Sequence, residues 1–104
     1  MFSQKKYNEA FKELTKASEL EPSNMIVMQN LGLVDVQLKR YNEAINKLTT
    51  VINSKKITNG KPEYFRGICY LNVGNKIMAG VDFRSSLKKG FKAAKDLDKN
   101  YLAY

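Results

Sequence analysis

The chain has no histidine and no tryptophan, and only one cysteine and two prolines among its 104 residues. Without histidine it lacks the commonest general base and the commonest metal ligand. One cysteine and no histidine cannot build an ordinary zinc site. A single thiol cannot close an intrachain disulfide. That fits a reducing compartment and makes a cytoplasmic setting the expectation. No apolar run approaches the ~18–20 residues needed to cross a bilayer. The opening Met1-Phe2-Ser3-Gln4-Lys5-Lys6-Tyr7 has no apolar stretch after its lysines, so it does not read as a secretory signal. Carboxylates alone can support an active site. Here Glu9, Glu13, Glu19 and Glu43 fall on polar helix faces and read as solvated charges. The expectation is a protein that is not an enzyme, with no catalytic residue, no metal site and no cofactor.

What is present is the balance of a soluble globular domain, 43% hydrophobic and 27% charged. The length suits one small domain with a modest core. The net charge is +8, and it is uneven. Residues 55–104 carry eleven Lys/Arg against four acids, a net +7 that leaves +1 for residues 1–54. Such asymmetry points to an acidic partner or surface. Cys69 lies on an apolar stretch with Ile68, Tyr70 and Leu71, and reads as a buried structural thiol.

A repeat runs through the chain. Tyr7-Asn8-Glu9-Ala10 returns 34 residues later as Tyr41-Asn42-Glu43-Ala44. Lys5-Lys6 matches Lys39-Arg40, Leu14-Thr15 matches Leu48-Thr49, and Ala17 matches Val51. A more worn third copy is offset by 35: Gly67 follows Gly32, Ala79 follows Ala44 and Phe83 follows Leu48. In both glycine-bearing units the glycine precedes the alanine by twelve. The apolar positions keep helical spacing, as in Ala44, Leu48 and Val51. Pro22-Ser23-Asn24, Thr58-Asn59-Gly60-Lys61-Pro62 and Gly74-Asn75 punctuate the helices. The spacing predicts helices at 6–20, 24–38, 42–54, 62–73, 76–89 and 92–102, with no strand.

These residues resemble the tetratricopeptide repeat family, a 34-residue helix–turn–helix with small and large residues at set positions. One unit supplies Met28-x2-Leu31-Gly32 and Tyr41-x2-Ala44-x3-Leu48-x2-Val51. Another supplies Tyr7-x2-Ala10-x3-Leu14-x2-Ala17, then Leu20-x-Pro22. A third supplies Gly67-x2-Tyr70, Ala79 and Phe83. The resemblance implies an all-α fold of antiparallel helix pairs stacked as a short right-handed α-solenoid. It divides the single domain 1–104 into a partial first repeat (1–24), a second (25–59), a third (60–90) and 91–104, a capping helix or the start of a further repeat. In that segment Phe91, Ala94, Leu97 and Leu102 would face the array. Gly32, Gly67, Ala10, Ala44 and Ala79 would let helices approach, with Tyr7, Leu14, Met28, Leu31, Tyr41, Leu48, Tyr70 and Phe83 filling the space beside them. The chain departs from the pattern at Asp35, which replaces an aromatic, and at Lys56 and Phe91, which replace closing prolines. Gly80, Ser85 and Ser86 weaken the last helix of the third unit.

The resemblance implies a protein-interaction module whose first helices line a concave, exposed groove. The groove residues it assigns are Gln29, Asn30, Leu33, Val36 and Gln37, with Lys61, Tyr64, Phe65, Ile68 and Asn72. A partner protein or peptide of acidic character is expected there. Some family members clamp a C-terminal carboxylate with Lys, Asn and Arg. Asn30 and Lys61 match two such positions, but Phe65 stands where the arginine would be, so no clamp is expected. The first unit lacks most of its first helix, which leaves Phe2 and Phe11 uncovered. A piece of a longer scaffold is the expectation, and self-association through that unit is an alternative. A second alternative is nucleic-acid binding by the basic residues 55–104, with Tyr64, Phe65 or Tyr101 stacking on bases. It is the weaker one, because the lysines lie on several helix faces among Asp96 and Asp98.

Overall fold

A computed structural model describes residues 4–96. Five α-helices follow one another: α1 (Gln4–Leu20), α2 (Met25–Gln37), α3 (Tyr41–Ser54), α4 (Lys61–Asn72) and α5 (Lys76–Lys88). A 3₁₀ turn, Lys92–Asp96, comes after them. No strand occurs among the described residues. The helix limits fall within two residues of those the spacing predicts. The expected sixth helix begins as the 3₁₀ turn, and the remainder of 92–102 lies outside the described residues. Each helix packs on the next in sequence, and α2 also touches α4, which is the layering of an α-helical repeat solenoid.

Local chemistry sets the breaks. Asn24 caps α2, its Oδ1 accepting from the Ile26 and Val27 N–H groups at 3.1 and 3.3 Å. Asn75 caps α5 by accepting from the Met78 N–H at 3.1 Å. The turn between α4 and α5 uses Gly74 at φ 85°, and the turn between α2 and α3 uses Lys39 at φ 62°. After α5 the chain turns at Gly90 (φ 90°), and after α3 at Lys55 (φ 59°). Each lysine precedes its glycine by 35 residues, so the same turn is built twice, once with the residue that suits a left-handed backbone and once without it.

The core lies where second helices meet first helices. Leu31, Ala44, Leu48, Val51, Cys69, Ala79, Phe83 and Ala94 are buried. Fully burying a Leu or Phe side chain contributes roughly 1.5–3 kcal/mol. Gly32 sits on Leu48, where an added Cβ would stand 3.2 Å from Leu48 Cγ and Cδ2. Gly67 sits on Phe83 in the same way. Despite Gly80, Ser85 and Ser86, α5 is continuous. Tertiary contact outweighs the weak propensity: Gly80 and Ser86 are buried, and Ser86 Oγ donates to the Gly60 carbonyl at 2.7 Å. Phe91 and Ala94 do turn toward the helices, Ala94 fully buried and Phe91 half-buried. Leu97 and Leu102, expected beside them, lie outside the described residues.

Candidate functional site

The circumference of α2 is largely covered, because α1, α3 and α4 all pack on it. Only a narrow stripe stays open: Ile26, Asn30 and Gln37 are exposed, with half-buried Leu33 between them. Their spacing of i, i+4, i+7 and i+11 keeps them on one helix face. The matching stripe on α4 is Lys61, Phe65, Ile68 and Asn72, each 35 residues further on. Asn72 is exposed and the other three are half-buried. The two stripes lie on helices in contact, so eight side chains of mixed amide, aliphatic and aromatic character occupy neighbouring helices in register.

Three of the expected groove residues lie off these stripes. Gln29 is buried at 6% exposure, a correction to its assignment as an exposed contact. It stands about 60° round the helix from the open stripe, on flanks that neighbouring helices cover. Val36 is half-buried on the same side. Tyr64, the counterpart of Gln29, is half-buried in an aromatic cluster. Its ring meets Phe65 edge-on at 5.2 Å, Phe83 at 5.9 Å and Phe91 at 5.1 Å between centroids. Tyr64 therefore ties α4 to α5 and to the segment beyond, with little ring left for a ligand. Ile26, 63% exposed, was missed by the sequence reading, although its place one turn before Asn30 marks it.

Buried charge was also missed. Asp35 is buried and ion-paired with Lys47 of α3, so the acid at the aromatic position is neutralised across the helix pair. Asp82 of α5 takes a two-pronged hydrogen bond from Arg66 of α4, both N···O distances 2.7 Å. Arg66 Nη1 also donates to Thr49 Oγ1 of α3 at 3.1 Å, joining three helices. Glu63 pairs with Lys89 across α4 and the end of α5. Burial pushes the Asp82 carboxyl above the ordinary carboxylate range, against the opposing pull of the Arg66 hydrogen bond. The hydrogen bond to Asp82 in turn raises the Arg66 guanidinium against the effect of its own burial. Burial, with Asp35 and Asp82 nearby, pushes the Cys69 thiol up to about 12, so it stays protonated and inert at neutral pH. These groups sit between helices rather than in a cleft, and their geometry serves packing. Phe11 on α1 is half-buried beneath Arg40, whose guanidinium carbon stands 4.6 Å from the ring centroid. Phe2 and Tyr101 lie outside the described residues.

No helix among the described residues is long and apolar enough to cross a membrane. No family model matches the chain. The chain is similar to the Hsp70-Hsp90 organising protein of Plasmodium falciparum (isolate 3D7), with 27% identity over 94 residues. That alignment covers 83% of this chain and 16% of the relative, so the chain spans about a sixth of the relative's length. The all-helical layering, the internal register of 34 and 35 residues and this likeness together fit a tetratricopeptide-like family.

Proposed function

We propose that this chain is a protein-interaction module and that its partner lies along the paired stripes of α2 and α4. The observation that carries the reading is the register of the two stripes. Ile26, Asn30, Leu33 and Gln37 are repeated 35 residues on by Lys61, Phe65, Ile68 and Asn72, on two helices in contact. Aliphatic and aromatic side chains there supply contact area, and the amides supply hydrogen bonds to a peptide backbone. The likeness to a protein named as an organiser of Hsp70 and Hsp90 supports an adaptor role. In this reading residues 25–59 and 60–90 are two full repeats, 1–24 is part of another, and the domain belongs to a larger scaffold. The net charge of +8 favours an acidic segment as ligand. Because Phe65 replaces the arginine of a carboxylate clamp, binding is not expected to need a free C-terminal carboxylate.

The test compares the wild-type chain with Asn30→Glu/Asn72→Glu, which sets two acids against an acidic ligand. Both positions are exposed, so the fold should survive. Each protein is used to capture purified Hsp70, purified Hsp90 and proteins of the source cell. Partners retained by the wild type and lost from the variant support the paired stripes. An identical catch with both proteins overturns the reading, as does nothing but nucleic acid released by moderate salt.

A further inference from the structure

Pro22, Lys56 and Phe91 hold the same place at the ends of successive units. At the end of the third unit Phe91 folds back on the start of α4. Its Cβ stands 3.0 Å from where a Cβ on Gly60 would lie, and its ring meets Tyr64 at 5.1 Å between centroids. An aromatic ring of the chain itself therefore covers the first turn of α4.

At the end of the second unit the same place is a lysine, and it is open. Between the turn before α2 and the turn after α3 lies a cavity of about 270 Å³, bounded by Ser23, Asn24, Met25, Ile26, Lys56 and Ile57. A cavity of about 150 Å³ accommodates benzene, so this one has room for a ring. Lys56 does not fill it: the side chain is exposed, and its Nζ donates to the Ser23 carbonyl at 3.3 Å. The neighbouring positions are exchanged in the complementary sense. Ile26 and Ile57, which line the cavity, correspond to Lys61 and Lys92 of the next unit. Ile26 is exposed and Ile57 half-buried, an apolar lining with no ring upon it.

The charges beside the cavity fit an acid. Lys55, Lys56 and Lys61 stand on the turn between α3 and α4, and none is ion-paired among the described residues. On the turn before α2, Glu21 accepts from Asn24 Nδ2 at 3.0 Å.

Neighbouring units of an array do not supply the missing ring. The unit that follows is part of the structure and leaves the cavity open. For a unit that precedes, α4 gives the measure. It has α2 packed before it, yet the ring over its start is Phe91, from the end of its own unit. The residue at that place in the second unit is Lys56, which has no ring to give.

We infer that this cavity takes an aromatic side chain of the partner, with an aspartate or glutamate beside it that meets Lys56. The inference rests on the reading that the partner lies along the paired stripes, because Ile26 belongs both to the α2 stripe and to the cavity wall. It adds an end subsite and a direction. The aromatic–acid pair lies over the start of α2, and the rest of the partner runs toward Gln37 and Asn72.

Short probes test the subsite. N-acetyl-Phe-Glu-amide is titrated into the isotope-labelled full chain and followed by NMR, with N-acetyl-Phe-Lys-amide and N-acetyl-Ala-Glu-amide as controls. The probes are too short to span the stripes, so their binding reports the cavity alone. Shifts should gather at Asn24, Ile26, Lys56 and Ile57. Phe-Glu should bind about threefold more tightly than Phe-Lys at low salt, the difference closing as salt is raised. Ala-Glu should not bind. Lys56→Glu, at an exposed position, should reverse the order of the two phenylalanine probes. Lys56→Phe, which gives the second unit the ring of the third, should exclude both. No shift at these residues, equal binding of Phe-Glu and Phe-Lys, or undiminished binding to Lys56→Phe would overturn the inference. So would a concentration-dependent dimer that Lys56→Phe dissolves, which would give the cavity to a second copy. A captured partner lost from Asn30→Glu/Asn72→Glu but kept by Lys56→Phe would uphold the stripes and sink the subsite.

Discussion

Gly67 lies so close to Phe83 that a Cβ placed on it would stand 2.7 Å from ring atom Cε1 and 2.9 Å from Cδ1. The equivalent approach of Gly32 to Leu48 is looser, at 3.2 Å. Alanine gains about 1 kcal/mol over glycine in a helix interior, while overpacking a core costs about 1–3 kcal/mol. Gly67→Ala should therefore destabilise by about 1–2 kcal/mol in urea unfolding. Gly32→Ala should fall near zero, because a leucine terminus can yield. Phe83→Leu should rescue much of the Gly67→Ala loss.

Leu48 and Leu14 occupy the same place in successive copies, one buried and one half-buried. Leu48→Ala should cost about 2–5 kcal/mol, the range for a filled core site. Leu14→Ala should cost about half as much or less, because part of its surface is already in water. Equal losses would show that α1 is covered in solution as α3 is.

The Arg66–Asp82 pair is nearly withdrawn from solvent, with side chains 16% and 2% exposed. Removing one member strands the other. Arg66→Met should cost about 3–5 kcal/mol, and Arg66→Met/Asp82→Leu should recover most of that loss. A double-mutant cycle by denaturant unfolding measures both.

Cys69 should react slowly with iodoacetamide in the native protein and quickly once unfolded. Its thiol is raised from 9.0 to about 12 on folding, so the native state holds the proton more tightly. The stability this contributes is complete below the unfolded value and is lost as pH rises from about 9 toward about 12. Unfolding free energies measured across that range should fall more steeply for the wild type than for Cys69→Ala. Parallel curves would show that burial does not govern this thiol.

Lys39 and Lys55 hold left-handed backbone that Gly74 and Gly90 hold without strain. Both lysines are exposed, so their side chains can be removed without cost to packing. Relief of about 1–2 kcal/mol of backbone strain, set against the looser unfolded chain of a glycine variant, predicts a gain of about 0.5–1 kcal/mol for Lys55→Gly. Thermal unfolding checks the sign.

The helices were legible because punctuation and period agreed: Asn24, Gly60, Gly74 and Asn75 mark breaks, and the 34-residue likeness lines up the faces between them. The paired stripes were partly legible. Asn30, Leu33, Gln37 and the α4 set follow from the register, but register alone does not say how many neighbours surround α2. Gln29 was misplaced for that reason, and Ile26, which continues the stripe one turn before Asn30, was overlooked. The buried acids were not legible. Asp82 and Arg66 are 16 residues apart with no local pattern, and only the crossing of α4 over α5 brings them together. Asp35 read as a departure from the repeat because its partner Lys47 lies on a different helix.

The reversed polarity of the two ion pairs also bears on how the chain finds its fold. Chains built from similar units risk closing the wrong halves upon each other. Were α2 to settle on α5, Asp35 would meet Asp82; were α4 to settle on α3, Arg66 would meet Lys47. Either misassembly would bury two like charges with no counterion, whereas both native pairings bury opposite ones. Helices of nearly interchangeable shape thereby carry an order of assembly, written in the sign of one side chain per helix.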